Sequence, residues 1–293
     1  MKIDTHQHYW HYRAEALPWI SEAMPVLRRD RLPPDNAAVM QAAGVTAALA
    51  VQARTEAAET DFLLDLADQY PAVVGVVGWA DLRTADLTPA LESWGQHSAF
   101  KGLRHLLQDE PDVAAWVQDR QVNDGLRTLQ RQRLTYDVLV FEHQLQDVMA
   151  FCARHDAHWL VLDHVGKPRL RDGRPDAEQA RPWRNAISAL ARLPHTMCKL
   201  SGLVTESGLT PGQPLRAEAD AIRACFDHAL EAFGPDRILF GSDWPVCELA
   251  AGYDLVHGLA DRWAQASLSP AEQAAFWSGN AVRCYSLQLP AAA

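Results

Sequence analysis

Two histidines one residue apart, His6 and His8, stand in the opening run Ile3-Asp-Thr-His-Gln-His8. On a strand alternate side chains share a face, so both imidazoles point the same way. Two neutral rings converging at one place form half of a site for a divalent ion such as zinc. Two further apolar runs finish on ionisable residues, Trp159-Leu-Val-Leu-Asp-His164 and Ile238-Leu-Phe-Gly-Ser-Asp243. Packing gives an apolar strand no reason to end in that way. Each residue has an ordinary alternative: incidental polarity near a terminus for the pair, helix capping for His164, and an N-cap for Asp243, which precedes Trp244-Pro245. Four such tips together favour a site over four coincidences.

Other polar residues fall at comparable places. Gln52 and Arg54 end a second run, Arg104 and His105 a fourth, and Lys167 follows His164 closely. Such donors suit a polyhydroxylated or carboxylated ligand, the arginines especially. The competing reading for each is an ion pair with a neighbouring acid. Of the ten tryptophans, Trp10, Trp19 and Trp244 lie near these tips, where they serve as packing or as an aromatic face for a sugar ring.

The elements that must position these residues alternate along the chain. Strands are predicted at Lys2 to His8, Val45 to Gln52, Ala72 to Trp79, Phe100 to Leu106, Leu134 to Phe141, Trp159 to His164, Thr196 to Ser201 and Arg237 to Asp243. Helical spacing occupies Asp35 to Ala43, Glu56 to Gln69, Leu87 to Trp94, Val113 to Arg131, Leu145 to His155, Ala177 to Leu193 and Ala217 to Phe233. Leu255 to Gln265 and Pro270 to Tyr285 add two more helices. Eight strand–helix units in 293 residues predict a single (β/α)8 TIM barrel domain spanning 1–293, with an open doubly wound sheet as the weaker alternative. No Gly-rich turn follows the first strand, which counts against the open sheet. The long N-terminal loop, Tyr9 to Pro34, and the loop after the sixth strand, Pro168 to Arg184, are candidate lids.

Composition sets outer limits. A formal net charge of −10, with no basic run longer than a pair, argues against nucleic acid. No window has the roughly 18 apolar residues that span a bilayer, and the start does not read as a signal peptide. Five scattered cysteines without a C-x-x-C pair read as reduced core thiols in a cytoplasmic protein. Serine-hydrolase, nucleotide-loop and H-E-x-x-H motifs are missing from the sequence. No helix shows an apolar face that would identify an oligomer.

The three motifs Ile3-Asp-Thr-His-Gln-His8, Val161-Leu-Asp-His-Val-Gly-Lys-Pro168 and Leu239-Phe-Gly-Ser-Asp-Trp-Pro245 resemble the amidohydrolase superfamily, in its barrel branch of lactone hydrolases. Similarity runs to about Tyr285 and is nearest to sugar-acid lactonases. The resemblance implies hydrolysis of an aldonolactone in carbohydrate catabolism. It places His6, His8, His164 and Asp243 at metal or catalytic positions, around one divalent ion, zinc by expectation. Lys101 lies at the wrong end of its strand for a bridging carbamate, so a second ion is not expected, and His143, two residues beyond the fifth strand, is either a fourth ligand or a loop residue, the loop reading favoured. Metal-independent catalysis stays open, because some lactonases of this branch use none. In the resulting scheme Asp243 is general base, the metal itself or a donor such as protonated His164 polarises the carbonyl, and Gln52, Arg54, Arg104, His105, Lys167 and Trp244 hold substrate. Two rivals accompany it: a non-oxidative decarboxylase on the same scaffold, and a metal-binding or sugar-acid-binding protein without turnover.

Overall fold

The computed structural model describes residues 1–170, 178–209, 212 and 217–289. Eight parallel strands follow one another around a single sheet: β1 (Lys2–Gln7), β2 (Val45–Val51), β3 (Val73–Gly78), β4 (Phe100–His105), β5 (Thr135–Val138), β6 (Leu160–Leu162), β7 (Thr196–Leu200) and β8 (Ile238–Phe240). The ring closes just beyond β8. There Gln7 bridges Trp244, the His8 N–H donates to the Trp244 carbonyl at 2.7 Å, and the Asp243 N–H donates to the His6 carbonyl at 2.9 Å. The fold is therefore the (β/α)8 barrel expected from the alternation.

Helices form the outer ring: α1 (Pro33–Ala42), α2 (Ala58–Gln69), α3 (Leu87–Trp94), α4 (Val113–Gln118), α5 (Arg120–Arg131), α6 (Leu145–Arg154), α7 (Arg181–Ala191), α8 (Leu203–Glu206), α9 (Ala217–Phe233), α10 (Tyr253–Ser267), α11 (Pro270–Ala274) and α12 (Asn280–Tyr285). Two expected helices are broken. Asp119 divides Val113 to Arg131, because its carboxylate accepts from the N–H groups of Gln121 and Val122 and starts a new helix. A single π turn, Ala275–Gly279, interrupts Pro270 to Tyr285. Ala177, the expected start of α7, lies outside the described residues, as does part of the Pro168 to Arg184 loop.

The apolar side chains divide into layers. Strand residues such as Ala48, Leu103, Tyr136, Leu162, Cys198 and Phe240 pack outward against the helices. Ile3, Leu49, Val77, Val161, Met197 and Leu239 point inward, where Tyr285 at the end of α12 and the following Leu287 plug the barrel floor. Lys101 belongs to this floor, donating to the Ser286 carbonyl. The N-terminal loop is packed rather than loose, with Trp10, Leu17, Ile20 and Leu27 burying themselves against Ala53.

Strand β1 carries one extra residue. Asp4 pairs with Ala48 and Gln7 with Ala50, three steps against two, so a bulge falls between them. Ile3 and His6 have opposite parity, yet the bulge turns both inward. Ile3 fills the floor while His6 and His8 reach the upper end. Gly241 permits this, since a Cβ there would lie 2.7 Å from the His6 Cβ.

Candidate active site

Strands β6 and β8 end early, and the residues after them turn into the mouth. His164 has φ 54° and Asp243 φ 61°, with Val165 (53°) and Lys167 (47°) also in the left-handed region. A β-branched residue there is a true outlier. Each such residue costs about 1–3 kcal/mol, so their clustering marks a site where geometry outweighs local comfort.

Asp243 Oδ1 is the meeting point. It lies 3.3 Å from His8 Nε2, 3.8 Å from His6 Nε2 and 3.9 Å from His164 Nε2. All four side chains are almost wholly buried. Burial would raise the Asp243 carboxyl, but the facing imidazoles of His164 and His8 outweigh it and hold the group below its ordinary value. It is therefore an anion at neutral pH. Burial drives His6 and His164 well below the usual imidazole value, so both rings are neutral there. That differs from the protonated His164 of the sequence scheme: a ring this deep loses more hydration as a cation than the nearby carboxylates restore.

His8 offers a test of metal fit. Its Nδ1 lies 2.8 Å from the Val51 carbonyl, which only accepts, so Nδ1 carries the hydrogen. The Nε2 lone pair then faces the Asp243 carboxylate at 3.3 Å. With the ring neutral, a lone pair and a carboxylate at that distance can share a cation, and the separation matches the edge of about 3.3 Å expected for tetrahedral zinc. His6, His8 and Asp243 could hold an ion, as could His6, Asp163 and His164. The residues fit a divalent metal.

Beneath this cluster lies a belt of charge that sequence reading left out. Lys199 on β7 lies 2.5 Å from Asp137 on β5 and 3.1 Å from Asp163. Arg104 Nη1 lies 3.2 Å from the other Asp163 oxygen. Burial works against the Lys199 ammonium, yet Asp137 and Asp163 outweigh it and raise its pKa. Against the same burial, Lys199, His6 and Arg104 hold Asp163 well below its ordinary value. Burial pushes Asp137 up to about 6 against the pull of Lys199. The belt sets two basic side chains against two carboxyl groups.

The six expected substrate contacts separate. Arg104 points inward, but Gln52 Oε1 accepts from its Nε at 3.0 Å and from Nη2 at 2.7 Å, so both residues belong to the belt. Lys167 lies at the mouth, donating to Gln108 at 2.7 Å above the Phe141 ring. Arg54 is paired with Glu59 and Glu56. His105 faces outward, as the neighbour of an inward strand residue must. It stacks on Trp116 and contacts Glu110 at 2.6 Å. Trp244 is only 1% exposed and donates to Glu248, so no face is free for a sugar. His143 is exposed and stacked on Phe141, away from the imidazoles.

A barrel with histidines and a carboxylate converging above its C-terminal strand ends is the architecture of a metal-assisted or acid–base hydrolase. The family model described as Amidohydrolase matches residues 3–287, and the chain belongs to that family. It is 53% identical over 293 residues to an L-fucono-1,5-lactonase of Burkholderia multivorans, covering 99% of this chain and 98% of the relative. An L-fucono-1,5-lactonase of Burkholderia ambifaria is 33% identical, covering 99% and 97%. Two crystal structures of a Burkholderia multivorans amidohydrolase, one with bound HEPES and one with bound zinc, superpose with TM-scores of 0.94 and 0.93. Each is 51% identical and covers 98% of this chain and 100% of that one. A 2,6-dihydroxybenzoate decarboxylase shares the fold at a TM-score of 0.65 and 14% identity.

Proposed function

We propose that this chain hydrolyses a sugar-acid lactone of the L-fuconolactone kind to the open hydroxy acid. The observation that carries this reading is an ionised, desolvated carboxylate facing three imidazoles at the mouth. The full-length likeness to L-fucono-1,5-lactonases supports it. Asp243 takes a proton from water as the water oxygen attacks the lactone carbonyl carbon. The ring C–O bond then breaks, and Asp243 returns the proton to the departing alkoxide. Ionisation of the new carboxylic acid releases one proton per turnover.

His164 completes the constellation. Its Nδ1 lies 2.9 Å from Ser201 Oγ, which can donate or accept. With Ser201 donating, His164 carries Nε2–H toward the mouth, where it polarises the carbonyl oxygen as negative charge grows. Lys167 supplies a cation at the rim for substrate hydroxyl or carbonyl oxygens. Gln52 and Arg104 act from below, fixing His6. A divalent ion, zinc by the likeness to the zinc-bound amidohydrolase, would be held by His6, His8 and Asp243 with His164 beside them, and would add Lewis acidity and a more acidic water.

Among the described residues no helix is long and apolar enough to cross a membrane. A cytoplasmic enzyme acting on a small diffusible lactone is the consistent setting. The test is an indicator assay of proton release from L-fucono-1,5-lactone and a panel of aldonolactones, with and without a strong chelator. Release well above the spontaneous rate is expected. No release, with carbon dioxide evolved from a hydroxybenzoate instead, would favour the decarboxylase alternative.

A further inference from the structure

His6 is common to both groups of side chains that could hold an ion. Each nitrogen of its ring already faces a protein cation: Nε2 lies 3.1 Å from Arg104 Nη1, and Nδ1 lies 3.2 Å from Lys199 Nζ. A guanidinium and an ammonium both only donate, so the two compete for the single lone pair of the neutral ring, and the shorter contact is that of Arg104 with Nε2. Asp163 Oδ1 lies 3.3 Å from the same Nδ1, a charge contact. Arg104 thus sits on the nitrogen of His6 that faces the mouth.

We infer that Arg104 is a resident competitor of the metal ion for His6 Nε2, while Lys199 closes the deeper group, so that the chain holds one exchangeable ion at the mouth. This inference rests on the metal reading proposed above. Lys199 and Arg104 occupy the two oxygens of Asp163, at 3.1 and 3.2 Å, so the deeper carboxylate is already neutralised. A dication there would sit against two fixed positive charges in a dry interior. The mouth group differs, because among the described residues no lysine or arginine lies in direct ion-pair contact with Asp243, which feels Lys167 only from a distance. An ion held by His8 and Asp243 gains His6 as a further ligand only by taking Nε2 from Arg104. That side chain is 3% exposed, tethered by Gln52, and unable to lose its proton. Binding therefore forfeits a buried charge-assisted hydrogen bond and brings like charges together.

The experiment is a calorimetric zinc titration of the full chain, of Arg104→Gln and of Arg104→Lys, each checked by circular dichroism, with anomalous diffraction from zinc-soaked crystals of the parent. One equivalent is expected throughout. Arg104→Gln should bind about 10- to 100-fold more tightly than the parent, the size of the charge-assisted hydrogen bond that binding forfeits, and the charge-keeping Arg104→Lys should stay closer to it. The crystals should show one anomalous peak, against His8 and Asp243. Equal or weaker affinity of Arg104→Gln, a second equivalent in the parent, or a peak against Asp163 would overturn the inference. If the glutamine variant does not fold, the peak position decides. Uptake by Arg104→Gln but none by the parent would uphold the competition and defeat the zinc reading. Uptake by neither would defeat both.

Discussion

Replacing Asp243 with Asn removes the carboxylate that faces the three imidazoles and keeps its shape. The side chain is 4% exposed, and its Oδ1 lies 3.3 Å from the His8 Nε2 lone pair. An amide in its place can donate to that lone pair, so the variant should fold and melt within a few degrees of the parent. The proton acceptor, however, is lost. A positioned general base contributes about 10²- to 10⁴-fold, which is roughly 3–5 kcal/mol of barrier. Expected, then, is a fall in kcat of that size with KM changed by less than about threefold, because the interaction removed acts in the transition state. The assay is initial-rate proton release from L-fucono-1,5-lactone with spontaneous opening subtracted, beside circular dichroism of both proteins. A folded Asp243→Asn that keeps kcat within about fivefold would refute the base assignment. A rise in KM at unchanged kcat would instead make Asp243 a substrate-binding group.

Lys199→Met leaves Asp137 and Asp163 with too little positive charge in the barrel; breaking a buried pair of this kind costs about 3–5 kcal/mol. Urea unfolding should show that loss, and a change under about 1 kcal/mol would mean the belt is not an ion network. Gly202 has φ +67°, and a Cβ there would meet His164 Nδ1 at 2.5 Å, whereas Gly234 has φ +72° with nothing within 4 Å. Gly202→Ala should therefore lower kcat by about tenfold or more by displacing the ring, while Gly234→Ala costs only about 1 kcal/mol of backbone strain and leaves kcat as it was; equal kcat in the two variants would contradict this. His257, far from the mouth, accepts from Lys2 at 2.9 Å, and burial lowers its pKa from 6.5 to about 4. A depressed imidazole contributes stability that is present above pH 6.5 and is lost as pH falls toward 4. The parent should accordingly lose more stability than His257→Gln between pH 7.5 and pH 4.5, and parallel losses in urea midpoints would count against the assignment.

Much of this site was legible because strand tips carry it. His6 and His8 share a face by period two, and the two apolar runs ending in His164 and Asp243 could be matched to the same end of a barrel. What stayed hidden was parity within the strands. In Thr196-Met-Cys-Lys-Leu-Ser201 the inward Met197 implies an inward Lys199 and an outward Cys198, which is where they lie. The same rule puts Asp137 and Asp163 inside and separates His105 from Arg104, two neighbours that cannot both line one mouth. The bulge on β1 had no local signal, since it is set by the pairing with β2 and the close pass of Gly241. Trp244 disappeared into the barrel's closing seam, where its carbonyl holds His8. Long-range pairing of this sort is not written in any single segment. The break at Asp119 was legible in principle, because an Asp two and three residues before free N–H groups is a capping signal inside an otherwise helical run.

The most direct test of water attack at a lactone carbonyl is hydrolysis of L-fucono-1,5-lactone in ¹⁸O-labelled water under single-turnover conditions, read by mass spectrometry of product and protein. One labelled oxygen should appear in the product carboxylate, with none in the released hydroxyl and none in Asp243. Unlabelled product with label in Asp243 would show a covalent acyl intermediate on that carboxylate, and label in the hydroxyl would show cleavage at the other C–O bond. Either result would contradict the mechanism, and no turnover at all would contradict the function.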